Sequence, residues 1–436
     1  MARFGSINGF LVVAVATLSG CMSAGRDAGD TVTRAAPAEP ATALAAAQTE
    51  AAHSPIIEAL MTRRSVLPGG SSFDQVATSV LAANSRAAEA ELRAARLRSQ
   101  AASKNWLPTL GPQISLTSLS SVIANLVIDQ VLMDNGRKKA ERAFAKADVE
   151  VAAVVLAQDT NERLHTALSL YIDAQEARDR VMLAEYAERD MKHFAWIMEE
   201  RVKGGISDMS DLNVLRQKLA EIAADRDARA DAASAALAEL GAMAATPLDG
   251  LRGVANLSLR ADGATPLAVM LAEAEKLRAI EAAKMERAGF LPGLSASASV
   301  GTNSSGPSVN VTSDRPLGLG TGDSLRAIAA ATEGAERNVA QTREDANRRL
   351  RRQEQEIGAL QRQAGEAAQM TQASKRNLDL FQAQYDAGQR QVMDVVGVYE
   401  TYARQQSQEV TVKYDALRRQ LDMARDLGLL ADGGRI

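Results

Sequence analysis

Apolar side chains recur along most of this chain with the period of a helix. Val151, Val154, Val155, Leu164, Leu168, Tyr171 and Ile172 fall on one stripe of a proline-free segment running from Gly136 to Lys203. A second proline-free segment runs from Asp323 to Ala387 and contains only Gly334, Gly358 and Gly365 as weak points. At 1.5 Å per residue, each predicts a helix about 100 Å long. A glycine turn and a shorter returning helix follow each one, at about 208–242 and 391–430. Two stretches break the helical period. Gln113 to Leu119 and then 122–133, and Ser295 to Val300 and then 308–311, alternate small or polar with apolar side chains. Period-2 alternation predicts β-hairpins, placed at about 109–135 and 293–322. The run Gly301 to Pro307 reads as the whole tip of the second hairpin.

The pattern occurs twice. Asn105-Trp106-Leu107-Pro108 ends one helical stretch and Gly289-Phe290-Leu291-Pro292 ends another, since proline cannot continue a helix. Gly205 and Gly388 break the long helices, and each is followed six residues later by an acid, Asp211 and Asp394. These landmarks share an offset of about 184 residues, which marks an internal duplication: a first repeat over 71–250 and a second over 251–436. The returning helices are too short to match their partners. Helices near 72–106 and 265–289 must therefore stack end to end on them, so that each long helix lies beside two short ones. The fold class is mainly α, a long antiparallel coiled-coil body carrying two β-hairpins at one end.

Composition supports this and removes several functions. Alanine dominates the periodic segments, and aromatic residues are only 3%, as in closely packed long helices. Lys and Arg total 50 against 54 Asp and Glu, so no basic face for nucleic acid is expected. The single cysteine excludes a disulfide framework and a cysteine zinc site. His53, His165 and His193 are scattered, and the last two sit within a long helix as packing or surface residues. No nucleophile elbow, P-loop or HExxH is present, so neither an enzyme nor a cofactor is expected. The run Arg348-Arg349-Leu350-Arg351-Arg352 reads most simply as a solvated helix face.

The first 20 residues carry Arg3 and a short apolar run, Gly9 to Ala16, too short to span a bilayer and of signal-peptide size. Leu18-Ser19-Gly20-Cys21 resembles a bacterial lipobox, which implies lipidation of Cys21. Met22 follows where an aspartate would retain such a lipoprotein in the inner membrane, so the resemblance implies the outer membrane. Residues 21–70, rich in Ala, Pro, Gly and Thr, read as a tether, with helix beginning after a Ser71 cap.

Two strands per hairpin cannot make a stable sheet alone, and in a membrane only a closed barrel satisfies the backbone. One chain supplies four strands, so several chains must contribute. With its two Leu-Pro junctions, the restart Asp134-Asn135-Gly136-Arg137-Lys138-Lys139-Ala140 and the turns 204–212 and 385–395, the chain resembles the TolC-like outer membrane efflux proteins over about residues 72 to 430. That resemblance implies a homotrimer, a shared twelve-stranded β-barrel in the outer membrane and a periplasmic α-barrel. It also implies docking to a periplasmic adaptor and, through it, to an inner-membrane ABC or proton-driven pump.

By the same resemblance the turns at Gly204, Gly205 and Gly388 form a periplasmic tip held closed by Tyr385, Arg390 and Asp394 with Asp211. The residues alone also allow a simpler reading, because acids in the first turn of a helix are favoured by its dipole. Members with a double acidic constriction carry a second Asp three residues on, where this chain has Gly397, so one carboxylate ring is expected instead of two. The expected function is the outer membrane channel of a tripartite export system, for multidrug efflux or type I protein secretion. The alternative is a structural periplasmic coiled-coil lipoprotein without a conducting pore.

Overall fold

A computed structural model describes residues 54–435 apart from 84–86, 119–120, 258, 260–262, 302–304 and 316. In order, the elements are helices α1 (Pro55–Met61), α2 (Ser72–Ala82) and α3 (Ala87–Ser103), strands β1 (Thr109–Ser118) and β2 (Ser121–Met133), and helices α4 (Arg137–Lys203), α5 (Met209–Met243) and α6 (Leu267–Ala288). Strands β3 (Gly293–Gly301) and β4 (Ser305–Thr312) follow, then helices α7 (Thr321–Asp386) and α8 (Val392–Asp426). The long helices α4 and α7 contain 67 and 66 residues, within two residues of the lengths read from the sequence.

The short helices pack along the long ones, but not two to each as expected: all four lie against α4 and two of them also against α7. Helices α6 and α8 each lie against both long helices, whereas α3 and α5 lie against α4. Ion pairs mark their levels. Arg98 of α3 and Arg278 of α6 both meet Asp148, near the sheet end of α4, while Arg226 of α5 meets Glu188 towards the other end. The two long helices are covered very unequally. Twenty-four residues of α4 are buried but only five of α7 (Val339, Ala346, Gln353, Ala367 and Leu378), so α7 has a flank that none of the described residues covers.

The N-terminal boundary differs from the sequence reading. Residues 54–70 belong to the folded body, not to a tether ending at residue 70. Ser54 caps α1, whose Ile57 and Leu60 are fully buried in the main core with Phe73, Leu156 and Tyr171. The following segment holds the C-terminus: Val66 N donates to the Leu429 carbonyl at 2.9 Å, Ser65 N to Asp432 Oδ1 at 2.9 Å, and Leu430 N to Asn161 Oδ1 of α4 at 2.9 Å. Arg63 donates to the carbonyls of Leu427 and Thr265, and burial lowers its pKa to about 10, still charged at neutral pH. A short apolar helix among prolines carries too little periodicity to be seen before its packing partners are known. The signal segment, Cys21 and the rest of the 21–70 stretch up to residue 53 lie outside the described residues.

The four strands form one antiparallel sheet in the order β1-β2-β3-β4. The two hairpins are therefore adjacent, joined through β2 and β3 with Ile128 opposite Ala298 and Asp129 opposite Ser297. Strand β4 begins at Ser305, so Ser305, Gly306 and Pro307 belong to the ladder, where sequence placed a loop tip. Their small and polar character was misleading. Pro112 and Pro307 lie in β1 and β4, the two edge strands, where a missing N–H need not break a ladder within the chain.

Candidate functional site: a two-faced sheet and paired helix turns

Residues directly opposite each other in an antiparallel pair share a face, so the register sorts the sheet. One face carries Leu110 and Ile114 of β1, Leu126 and Ile128 of β2, Ala296, Ala298 and Val300 of β3, and Val309 and Val311 of β4. The larger side chains of this set stand exposed, from 47% at Ile128 to 69% at Val300 and Val311, so no other described residue covers this face. The opposite face is mostly polar, carrying Thr109, Gln113, Asn125, Asp129, Ser295, Ser297, Ser308 and Asn310 with Val127 and Val131 among them, while Gln130 falls on the apolar face. On it Ser297 Oγ lies 2.7 Å from Ser308 Oγ and accepts from Asn310 Nδ2 at 3.0 Å. Strands β1 and β4 each have one edge unpaired among the described residues. An apolar face bare to the surroundings, a polar face opposite it and two open edges are what a segment of a membrane barrel wall requires.

The junction between strands and helices is tied by polar contacts. Asn105, at the end of α3, donates to the Lys138 carbonyl at 3.1 Å and to Glu141 at 2.9 Å, and accepts from Arg142 at 2.9 Å. Arg137 pairs with Asp314 and so links the exits of both hairpins. Asn135 and Gly136 take positive φ, 54° and 86°, to restart the helix, which explains the Asn-Gly of the restart sequence.

At the far ends of α4 and α7 the two turns have the same backbone. Gly205 N bonds the Val202 carbonyl at 3.0 Å and Ile206 N the Arg201 carbonyl at 2.8 Å. Gly388 N bonds Tyr385 and Gln389 N bonds Gln384, both at 2.8 Å. Each is a Schellman closure with glycine in the left-handed region, φ 70° at Gly205 and 74° at Gly388. Gly204 itself is the α4 C-cap with right-handed φ and ends the helix without needing special freedom. Both turns rest on one core in which Met191, Phe194 and Met198 of α4 meet Leu212 and Leu215 of α5, Leu378 of α7, and Val392, Val395, Val396 and Tyr399 of α8. Burial, with Asp190 nearby, holds the Tyr399 phenol above its usual pKa, so it stays protonated.

The structure brings the expected tip residues to the same end of the helices without joining them in one network. Tyr385 packs half-buried against the shared core. Arg390 donates to Gln384 Oε1 at 3.0 Å and lies over the Phe381 ring at 4.5 Å. Asp394 accepts from the Gln391 N–H at 3.2 Å and closes a capping box at the start of α8. Asp211 sits in the first turn of α5 and makes no hydrogen bond or ion pair with another described residue of its own chain. Gln384 and Phe381 were missed in the sequence because nothing in their spacing singles them out. The sequence showed Asp394 only as an acid in the first turn of a helix, because Gln391-x-x-Asp394 lacks the Ser or Thr of the usual capping-box signature. Gly397 is exposed, with open space where a side chain would stand.

Neither a family sequence model nor a curated protein matches the chain. Solved structures do. The outer membrane protein VceC of Vibrio cholerae matches with a TM-score of 0.71 at 16% identity, over 82% of this chain and 96% of that one. A membrane protein of Pseudomonas aeruginosa matches with a TM-score of 0.71 at 16% identity, over 86% and 93%. The Neisseria gonorrhoeae MtrE outer membrane channel, in an open state, matches with a TM-score of 0.67 at 16% identity, over 83% and 90%. Most of this chain and nearly all of each of those chains superpose, at identities where only the fold is shared. The chain has the fold of the TolC-like outer membrane channels.

Proposed function

We propose that this chain is the outer membrane component of a tripartite export system, a passive duct closed at rest by its paired helix turns. The observation that carries this reading is the sheet: apolar and uncovered on one face, polar on the other, and open at both edges. Such an element is stable in lipid only within a closed barrel. Four strands are too few to close, and three copies would supply twelve. The bare flank of α7 makes the same demand at the level of helices, because a second copy placed head to tail would cover it and the rotation would close a ring.

In that assembly the apolar face meets lipid and the polar face lines the pore. The turns at Gly205 and Gly388 lie at the end remote from the sheet, in the periplasm. Asp211, without a partner among the described residues of its own chain, is placed to meet Arg390 of a neighbouring copy. A short-range charge pair of this kind suits a gate that opens by exchanging a few bonds. Cys21, lipidated, would tether each copy to the outer membrane, and a periplasmic adaptor with its inner-membrane pump would dock at the tip. The cargo, whether small molecules or a secreted protein, follows from that pump.

The test is single-channel current from the purified mature protein in a planar bilayer, alongside an Asp211→Ala/Arg390→Ala variant. A steady conductance that rises in the variant supports a duct gated at the tip. Silence from both, in a preparation shown to be trimeric, favours a non-conducting spacer.

A further inference from the structure

Resting on the duct reading, a direct contact between the two shorter helices α5 and α8 stands out behind the tip. Helices α5 and α8 flank α4 without packing along each other, and each is tied separately to α4. Arg226 of α5 pairs with Glu188 of α4. Arg418 of α8 pairs with Asp173 and Glu176, and Tyr414 of α8 donates to Asp179 Oδ2 at 2.7 Å. Among the described residues one ion pair joins α5 to α8 directly: Lys218 Nζ to the Glu400 carboxylate. It bridges a groove of about 310 Å³ floored by Ala187 and Met191 of α4. It lies nine residues into α5 and eight into α8, about 12–14 Å behind the two turns.

We infer that Lys218 and Glu400 form a cross-hairpin latch that holds the α4–α5 turn and the α7–α8 turn in their closed relation. Three features suit them to this. The pair connects the two hairpins within one copy, whereas Arg390 is engaged by Gln384 and Phe381 of its own hairpin and Asp211 by no other described residue. Both partners are partly exposed, 28% for Lys218 and 35% for Glu400, so the contact is accessible to water and breaks without burying an unpaired charge. Each also has an alternative partner on its own helix once the hairpins part: Glu221 lies three residues beyond Lys218, and Arg404 four beyond Glu400. An ion pair with replacements at hand favours one state without making it permanent. Lys218 and Glu400 are therefore positioning residues for the gate; neither needs to touch cargo.

The test is charge reversal and restoration in the full-length protein: Lys218→Glu, Glu400→Lys and the double exchange, each checked for trimer formation and thermal unfolding, then measured for open probability in planar bilayers. A partly exposed pair is worth a factor of about two to five in an equilibrium, so losing one in each of three copies multiplies to about tenfold or more. Either single reversal is expected to raise open probability by about that factor, and the double exchange to return it towards the original value. If the single reversals leave gating unchanged while Asp211→Ala/Arg390→Ala opens the channel, the latch is wrong and the duct stands. If a single reversal opens the channel but the exchange does not restore closure, the effect belongs to one side chain and the pairing is overturned. Silence in every trimeric variant overturns the duct reading and the latch with it.

Discussion

At the residue scale, the proposed duct gives Asp394 a second duty beside its cap, and substitution can separate the two. Its carboxylate caps α8 through the Gln391 N–H, and it stands exposed where a ring of three would face the constriction. Asp394→Asn keeps an oxygen acceptor but removes the charge. It is expected to reduce cation preference, read as a smaller reversal potential in a salt gradient, with little change in thermal stability. Asp394→Ala loses the cap as well, at a cost of about 1 kcal/mol per chain. With Gly397 one turn on, polyvalent cations should block this channel less strongly than one with two acidic rings. An unchanged reversal potential in Asp394→Asn would remove the residue from the ion path.

Glycine positions give a sharper contrast. Gly205 and Gly428 both have positive φ, 70° and 65°. Around Gly205 a new Cβ meets nothing within 4 Å, so Gly205→Ala should cost only the backbone preference, about 1–2 kcal/mol. At Gly428 the Cβ would fall 2.8 Å from Leu267 and still closer to the Arg63 guanidinium, which ties the N-terminal segment to the C-terminus. Gly428→Ala should therefore lower the melting temperature clearly more than Gly205→Ala; equal shifts would show that the Arg63 contacts are easily rearranged.

At the scale of elements, α1 is seven residues long and cannot be stable alone, yet its two inner side chains fill the core beside α4. Leu60→Ala is expected to destabilise by about 2–5 kcal/mol, as for other fully buried leucines. A chain starting at residue 71 should expose Phe73 and Leu156 and aggregate, whereas one starting at residue 54 should fold. Equal solubility of the two would return α1 to the tether. The long helices themselves were readable residue by residue, because 66 or 67 positions without proline leave no competing structure. Their restart and turn points were readable too, since Asn135, Gly136, Gly205 and Gly388 are required by positive φ and not merely tolerated.

At the scale of the whole molecule, the prediction concerns the two faces of the sheet. Ile128→Arg places a charge on the face assigned to lipid, where the cost is about 2–4 kcal/mol near the bilayer centre. Ser297→Arg places the same charge on the polar face, one strand away and one step in register. Outer membrane fractionation should show the first variant depleted and the second retained. Similar depletion of both would mean that the faces are not lipid and lumen.

What the sequence by itself determined was whatever depends on local period and backbone chemistry: two copies of a unit, helices of about 100 Å, hairpins at proline junctions and glycine turns near 205 and 388. These are fixed within a few residues of chain by hydrogen bonding and by allowed φ. Only the tertiary structure decided the matters that depend on who lies opposite whom. It set the adjacency of β2 and β3, and with it the sorting of all four strands into an apolar and a polar face. It drew α1 and the C-terminal residues into one core, because a short apolar segment gains stability only from the surfaces it meets. Among the described residues it left α7 bare along one flank, turned Arg390 onto Phe381, and set Lys218 opposite Glu400 across 182 positions of chain. Burial and charge pairing are properties of neighbours in space, and sequence period carries no record of them.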